Sequence, residues 1–444
     1  MDCYLFIDFG STFTKVTLVD IDSETILATE KSYTTVETDV MIGYEKALAK
    51  LKEKVDMSEM NVIKTTACSS AAGGLKVVAI GLVPELTAEA AKRTALGAGA
   101  RILKTYSFKL NDEELTEIKN SELDMILLAG GTNGGNSETI IHNAQMIAKH
   151  GIKKPVVVAG NKSANDEIKK AFGDTVEYYI TENVMPNLNH INVEPARETI
   201  RSIFMENIIK AKGMERVSEF ISGIAMPTPA AVLKAARVLS EGTELEDGIG
   251  DLVVLDIGGA TTDVHSIADG LPSKPGVMFR GLMEPFAKRT VEGDLGMRYS
   301  AMAVYEAAGL RTVMKYIDTK NYDDVESEFK KRFEHTDFVS TETVDKEFDT
   351  GMAKICAQIS MTRHCGEVTA IYSPMGMVYN QEGKDLMKVP YVLGTGGVII
   401  NNEKPHEILE ATLFSMDEPN SLKPTEPNFL VDKSYILSSM GLLA

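Results

Sequence analysis

The chain begins with an apolar run, Tyr4 to Ile7, that ends on Asp8 and a turn of small polar residues, Gly10, Ser11 and Thr12. The stretch from Thr14 to Val19 then alternates polar and apolar positions, and Thr25 to Tyr33 continues after a turn at Asp20 to Ser23. Period-two alternation bounded by turn residues predicts three consecutive strands. A helix is predicted over Val40 to Val55 from the spacing of Ala47, Leu48 and Leu51, followed by a strand from Val62 to Cys68 and a small-residue turn from Ser69 to Gly74.

From Lys76 the rhythm changes. Short apolar runs near Lys76–Ile80, Arg101–Phe108, Asp124–Ala129, Pro155–Ala159 and Val176–Ile180 are separated by helical patterns over 84–96, 112–119, 137–150 and 164–172. Five strands alternating with helices predict a parallel, doubly wound sheet. A helix over 194–211, a strand over 220–225 and a helix from Pro227 to Leu239 lead to a glycine-containing acidic linker, 242–250.

Strands are then predicted at Leu252–Asp256, Asp263–Ile267 and Val277–Phe279, and later at Val368–Tyr372 and Pro390–Leu393. Helices are predicted at 300–308, 344–364 and 406–414. The charge-rich stretch 321–343 reads as exposed, and the tail from Leu422, with its apolar end, reads as packed on the body. The expected division is 1–73 and 186–250 as a first lobe, 74–185 as an insert, 251–400 as a second lobe, and 401–444 as a terminal helix and tail.

One device occurs twice. Asp256 closes an apolar strand and is followed by Gly258, Gly259, Thr261 and Thr262, with Asp263 seven residues on, as Lys15 lies seven residues after Asp8. Backbone N–H groups of such turns can receive phosphate oxygens, and an acid at the strand end can hold a hydrated cation beside them. Lys15 would add a point charge against the same phosphates. Asp8 and Asp256 would share the water shell of one magnesium ion, and Asp263 would orient or deprotonate an attacking water. Read singly, the first turn is equally a plain hairpin, and Asp263 a solvated hairpin carboxylate. A third turn, Gly394, Thr395, Gly396 and Gly397, can let an adenosine lie against bare backbone, or serve as a loop. A fourth, Gly130 to Gly135, ends a predicted strand of the insert and is either a ligand crevice or a tight turn.

With 444 residues, 44% hydrophobic and 25% charged, the composition is that of soluble globular protein. A net charge of −18 disfavours nucleic acid and anionic membranes as partners. The start reads as a strand, with no signal peptide pattern, and no run approaches a membrane span. Cys3, Cys68, Cys356 and Cys365 lack zinc or haem spacing, which fits reduced thiols in a cytoplasmic protein.

Together, the Asp8-to-Lys15, Asp256-to-Thr262 and Gly394-to-Gly397 motifs resemble the actin, heat-shock chaperone and sugar-kinase ATPase superfamily. That resemblance implies an α/β fold of two ribonuclease H-like lobes closing on ATP and magnesium. Here Asp8, Gly10, Ser11, Thr12 and Lys15 fall on the first phosphate motif. Gly258, Gly259, Thr261 and Thr262 fall on the second, with Asp256 as its acid, and the 394–397 turn falls on the adenosine motif. More narrowly, Cys68–Gly74, Leu128–Gly135, Pro227–Pro229, Glu292–Arg298 and Gly441–Ala444 are similar to the MutL-type accessory proteins of cobalamin-dependent glutamate mutase. These are unrelated to the mismatch-repair protein of that name. The resemblance implies a chaperone-like reactivating ATPase whose partners are mutase subunits, and leaves oligomeric state open. A small-molecule kinase and a non-hydrolysing nucleotide scaffold are the alternatives. A dehydratase activator would need cysteines placed for an iron–sulfur cluster.

Overall fold

The computed structural model describes all residues except 11, 35–38, 71–74, 189, 210–223, 322–323 and 374–375. Ser11, most of the expected turn at 69–74 and most of the expected strand at 220–225 therefore lie outside the described residues. The chain forms two compact units, Met1–Cys68 with Ala231–Ala444, and Ser69–Ala230.

In the first unit, β1 (Asp2–Phe9), β2 (Phe13–Asp20) and β3 (Thr25–Tyr33) form an antiparallel meander, and β4 lies on the other side of β1 (β4, Asn61–Ser69). Between them runs α1 (Val40–Lys54), started by the Asp39 carboxylate, which accepts from the Met41 N–H.

The Ser69–Ala230 unit holds β5 (Lys76–Gly81), α2 (Glu89–Gly97), β6 (Arg101–Ser107), α3 (Asp112–Asn120), β7 (Met125–Leu128), α4 (Glu138–Lys149), β8 (Val156–Val158), α5 (Asn165–Phe172), β9 (Tyr178–Ile180) and α6 (Glu194–Ile209). Its sheet is parallel, in the order β6-β5-β7-β8-β9. This is the doubly wound arrangement expected from the alternation of strands and helices. Ile80, Ile126 and Leu128 of the sheet are covered by Leu115, Ile140, Ile147 and Ile168. The chain leaves this unit through β10 (Ile224–Pro227) and α7 (Thr228–Glu241).

The second sheet of the first unit repeats the opening meander. It contains β11 (Leu252–Ile257) and β12 (Thr262–Ile267); β13 (Val277–Arg280) stands apart, and β14 (Ala287–Glu292) pairs antiparallel with β12. Helices α8 (Ala301–Tyr316), α9 (Val325–Glu334) and α10 (Thr343–His364) follow, then β15 (Glu367–Ser373) and β16 (Gly376–Glu382), which join β13 in a small sheet. Next come β17 (Tyr391–Thr395), α11 (Gly397–Ile400), α12 (Pro405–Leu409), β18 (Asn428–Val431) and α13 (Leu437–Leu443). The sheet order is β14-β12-β11-β17-β18, with β17 parallel to β11 and β18 parallel to β17. Three antiparallel strands followed by two parallel ones, backed by helices, make the α/β lobe that the resemblance implied. β11 is buried on both faces, which explains its unbroken apolar run. Val253 and Leu255 pack on Phe348, Met352 and Ile355 of α10, while Leu252 and Val254 pack with Leu233 and Ala236 of α7.

Three local expectations need correction. The charge-rich stretch 321–343 is not simply exposed: α9 buries Phe329 and Arg332 completely, because Arg332 Nε donates to Asp349 Oδ1 at 2.5 Å and its Nη1 to Glu328 at 2.8 Å. Paired charges can be buried where single ones cannot. The helix at 300–308 continues to Tyr316 past a break at Gly309, whose φ is 64°. The helix at 406–414 stops as an α-helix at Leu409 and ends in a tighter turn, Glu410–Thr412.

Candidate functional site

The duplicated device is one hairpin built twice. Across β1–β2, Asp8 stands opposite Lys15; across β11–β12, Asp256 stands opposite Asp263. Both turns are closed by the same bond: the Gly10 N–H donates to the Phe13 carbonyl at 3.1 Å, and the Gly258 N–H to the Thr261 carbonyl at 2.9 Å. These amides are therefore taken up inside the turns, which corrects the expectation that Gly10 and Gly258 offer theirs to phosphate. A Cβ on Gly10 would lie 2.6 Å from the Phe13 carbonyl oxygen, so the tight turn itself accounts for that glycine.

The two turns meet. A Cβ on Gly259 would lie 2.7 Å from Thr12 Oγ1, and this hydroxyl is buried with no hydrogen-bond partner among the described residues. Behind the second turn, the segment Glu292–Ser300 acts as a brace. The amides of Met297, Arg298 and Tyr299 donate to the carbonyls of Gly258 and Gly259, and Ser300 Oγ donates to that of Ala260. These bonds fasten the carbonyls of Gly258, Gly259 and Ala260 and fix the shape of the turn. Thr262 is fully buried. Its hydroxyl donates to the Leu295 carbonyl at 2.7 Å inside the core, which corrects its expected role as a ligand to phosphate.

The third turn closes against the second. Thr395 is the register partner of Asp256. Gly396 has a φ of 93°, and a Cβ there would lie 2.3 Å from the Ile257 carbonyl oxygen and 2.9 Å from Asp256 Oδ1. Only glycine fits. Gly394 instead faces the core, where a Cβ would press on Leu409 and Ile399, while around Gly397 nothing lies within 4 Å.

The charges form a chain. Lys15 Nζ lies 2.5 Å from Asp8 Oδ2. Burial works against the Lys15 ammonium, but Asp8, with Tyr435 and Asp256, outweighs it and holds the amine well above its usual value. Asp256 has the opposite problem: burial, then the charge of Asp263, push it up to about 7 against the pull of Lys15. Asp263 forms a buried pair with Arg289, Nη2 to Oδ1 at 2.6 Å, and accepts from the Thr261 hydroxyl at 3.2 Å. Among the described residues no three or more His, Cys, Asp or Glu groups converge on a metal position. Two acids alone would suit only a cation that keeps most of its water, as magnesium does.

Sequence reasoning missed Arg289 and three residues of the tail. Asp432 Oδ2 accepts from the Thr395 hydroxyl at 3.0 Å, Ser438 Oγ donates to Asp8 Oδ2 at 2.9 Å, and the Tyr435 ring centroid lies 3.7 Å from Lys15 Nζ. The apolar end of the tail was the signal that it packs somewhere; nothing in its spacing points to Asp8.

In the other unit, the Gly130–Gly135 turn is tied by asparagines. Asn161 Nδ2 donates to the Gly135 and Asn136 carbonyls, and Asn183 Nδ2 to that of Gly131 at 2.9 Å. Gly131 has a φ of 72° and a Cβ there would lie 1.9 Å from the Asn136 carbonyl oxygen, so turn geometry explains this glycine.

Cys3, Cys68 and Cys356 are buried and Cys365 is partly so. Among the described residues no helix is long and apolar enough to cross a membrane.

The family described as MutL protein matches residues 4–444. The chain is 60% identical over 445 residues to "Protein MutL" of Clostridium tetanomorphum, covering 100% of this chain and 96% of that one. Among solved structures, it overlaps the activator of the 2-hydroxyisocaproyl-CoA dehydratase from Clostridium difficile with bound ADPNP at 11% identity and a TM-score of 0.32, over 99% of this chain and 92% of that one. The ethanolamine utilization protein EutJ from Carboxydothermus hydrogenoformans overlaps at 10% identity and 0.33, over 99% and 88%. Overlaps this loose say nothing about activity.

Proposed function

Because the chain belongs to the MutL family of glutamate mutase accessory proteins, we propose that it binds magnesium ATP between its two hairpin turns and uses turnover to release damaged cobalamin from a stalled mutase. The observation that carries this reading is the meeting of Thr12 with Gly259, which brings two phosphate-type turns, each with an acid at its strand end, to one opening.

The residues fit the group. Thr12 offers an unpartnered buried hydroxyl, and around Gly397 a Cβ would meet nothing within 4 Å, which leaves open space beside the third turn. Asp8 and Asp256 would hold a magnesium ion through its water shell. A cation there would draw Asp256 back towards its charged form, relieving the repulsion with Asp263. Magnesium bound there would neutralise phosphate charge and fix the leaving group. Lys15 would face the same phosphates. Thr261 and Asp263 would orient an attacking water, with Arg289 keeping the Asp263 carboxylate in place. The 394–397 turn would carry the adenosine, with Gly397 open to it.

The chaperone-like part of the proposal is a cycle in which closing of the lobes on nucleotide changes affinity for a mutase subunit. In this reading residues 74–185 are the docking module, and their sheet order supports a competitor for the partner of a cobalamin-binding subunit. Removing 74–185 should abolish binding to the mutase and spare nucleotide binding.

The test mixes the protein with magnesium ATP and inactivated holo-mutase and measures the cobalamin released. Wild type releases it; Asp8→Ala and Asp256→Ala do not. Equal release by all three would end the proposal.

A further inference from the structure

We infer that Tyr435 and Ser438 are positioning residues of the nucleotide site, acting through Lys15 and Asp8. This rests on the reading of the cleft given above.

The tail is anchored on the second hairpin's sheet and reaches the first hairpin. β18 runs parallel to β17, and at its end the Asp432 N–H donates to the Gly394 carbonyl at 2.9 Å. The Asp432 side chain accepts from the Thr395 hydroxyl and from the N–H groups of Ile436 and Leu437, at 3.0, 3.0 and 3.1 Å. That folds residues 432–437 into one tight turn, closed by the Tyr435 N–H to the Asp432 carbonyl at 2.9 Å. Three residues after Tyr435, Ser438 bonds Asp8, and Ser439 Oγ lies 3.2 Å from Thr17 Oγ1.

Two features set Tyr435 apart from ordinary packing. Its φ is 55°, a left-handed conformation that bulky side chains rarely adopt. Such strain persists only where the surroundings over-determine it. Its ring also stacks on a cation: the Lys15 ammonium lies 3.7 Å from the ring centroid. The ring therefore limits where the amine can swing and holds it beside Asp8. Ser438 does the corresponding work on Asp8. Its hydroxyl shares Oδ2 with Lys15 and fixes the rotation of the carboxylate. Ser438 thus bears on the cation-holding acid and Tyr435 on the phosphate-facing amine.

This division gives separable signatures in calorimetric titrations of ADP, with magnesium or with EDTA. Ser438→Ala should weaken ADP about tenfold with magnesium and by less than about twofold in EDTA, since a charge-assisted hydrogen bond is lost only on the metal side. Tyr435→Leu should weaken ADP about tenfold in both media, and Tyr435→Phe, which keeps the ring face, should stay within about twofold of wild type. Thermal unfolding of each variant confirms that the fold is retained. If wild type binds ADP while Tyr435→Leu matches Tyr435→Phe, or Ser438→Ala loses equally with and without metal, the positioning roles are overturned and the nucleotide reading stands. If wild type binds no ADP in either medium, both fall together.

Discussion

Asp263 stands directly across the β11–β12 ladder from Asp256. Burial and this neighbour raise Asp256 from 3.8 to about 7, so the folded chain holds a proton there that the unfolded chain has released. Between about pH 4 and pH 7 the native state binds the extra proton, and its stability falls as pH rises through that window. Without nucleotide or metal, Asp256→Asn should therefore flatten the decline and melt higher than wild type at pH 8. Parallel melting curves for the two proteins from pH 5 to pH 8 would show that Asp256 is not under this strain.

The glycines of the third turn should separate cleanly. Gly396→Ala should cost about 2 kcal/mol or more, because it combines a left-handed backbone with a collision against the Ile257 carbonyl. Gly397→Ala meets nothing within 4 Å and should change stability by no more than about 0.5 kcal/mol. If adenosine lies there, Gly397→Ala should still weaken ADP binding. Chemical denaturation and titration of the same two variants check both halves.

Thr12 carries a buried hydroxyl without a partner among the described residues. Thr12→Val removes it at nearly constant shape. In the absence of nucleotide this should be neutral or stabilise by about 1 kcal/mol, since an unsatisfied polar group is relieved. With ADP the same change should weaken binding. A variant that is less stable and binds equally well would mean that the hydroxyl serves the fold.

Arg289 keeps the buried Asp263 paired. Arg289→Met should cost about 3–5 kcal/mol by leaving that carboxylate without its counter-charge. Adding Asp263→Asn should restore a good part of the loss, because the uncompensated charge goes with it. A double variant no more stable than the single one would place the importance of Arg289 elsewhere.

The hairpins were legible because each announces itself locally: an apolar run, an acid, a glycine turn, and a partner seven residues on. The insert's sheet was legible from its alternation of apolar runs and helices. Thr262 was readable too: neighbours in an extended strand face opposite ways, so it cannot share a side with Asp263. A charge-rich stretch reads as solvent-facing, whereas the Arg332 guanidinium meets Glu328, Asp345 and Asp349 inside the fold. Ser438 is a different case. It meets Asp8 across 430 positions of chain, and no periodicity carries information over that span.

The matching of the two hairpins has one more consequence. Lys15 and Asp263 hold equivalent stations in the two copies, one cationic and one anionic. Reversing the sign at a single station changes how each copy is neutralised: Lys15 closes a pair inside its own hairpin with Asp8, whereas Asp263 draws its counter-charge, Arg289, from the neighbouring strand β14.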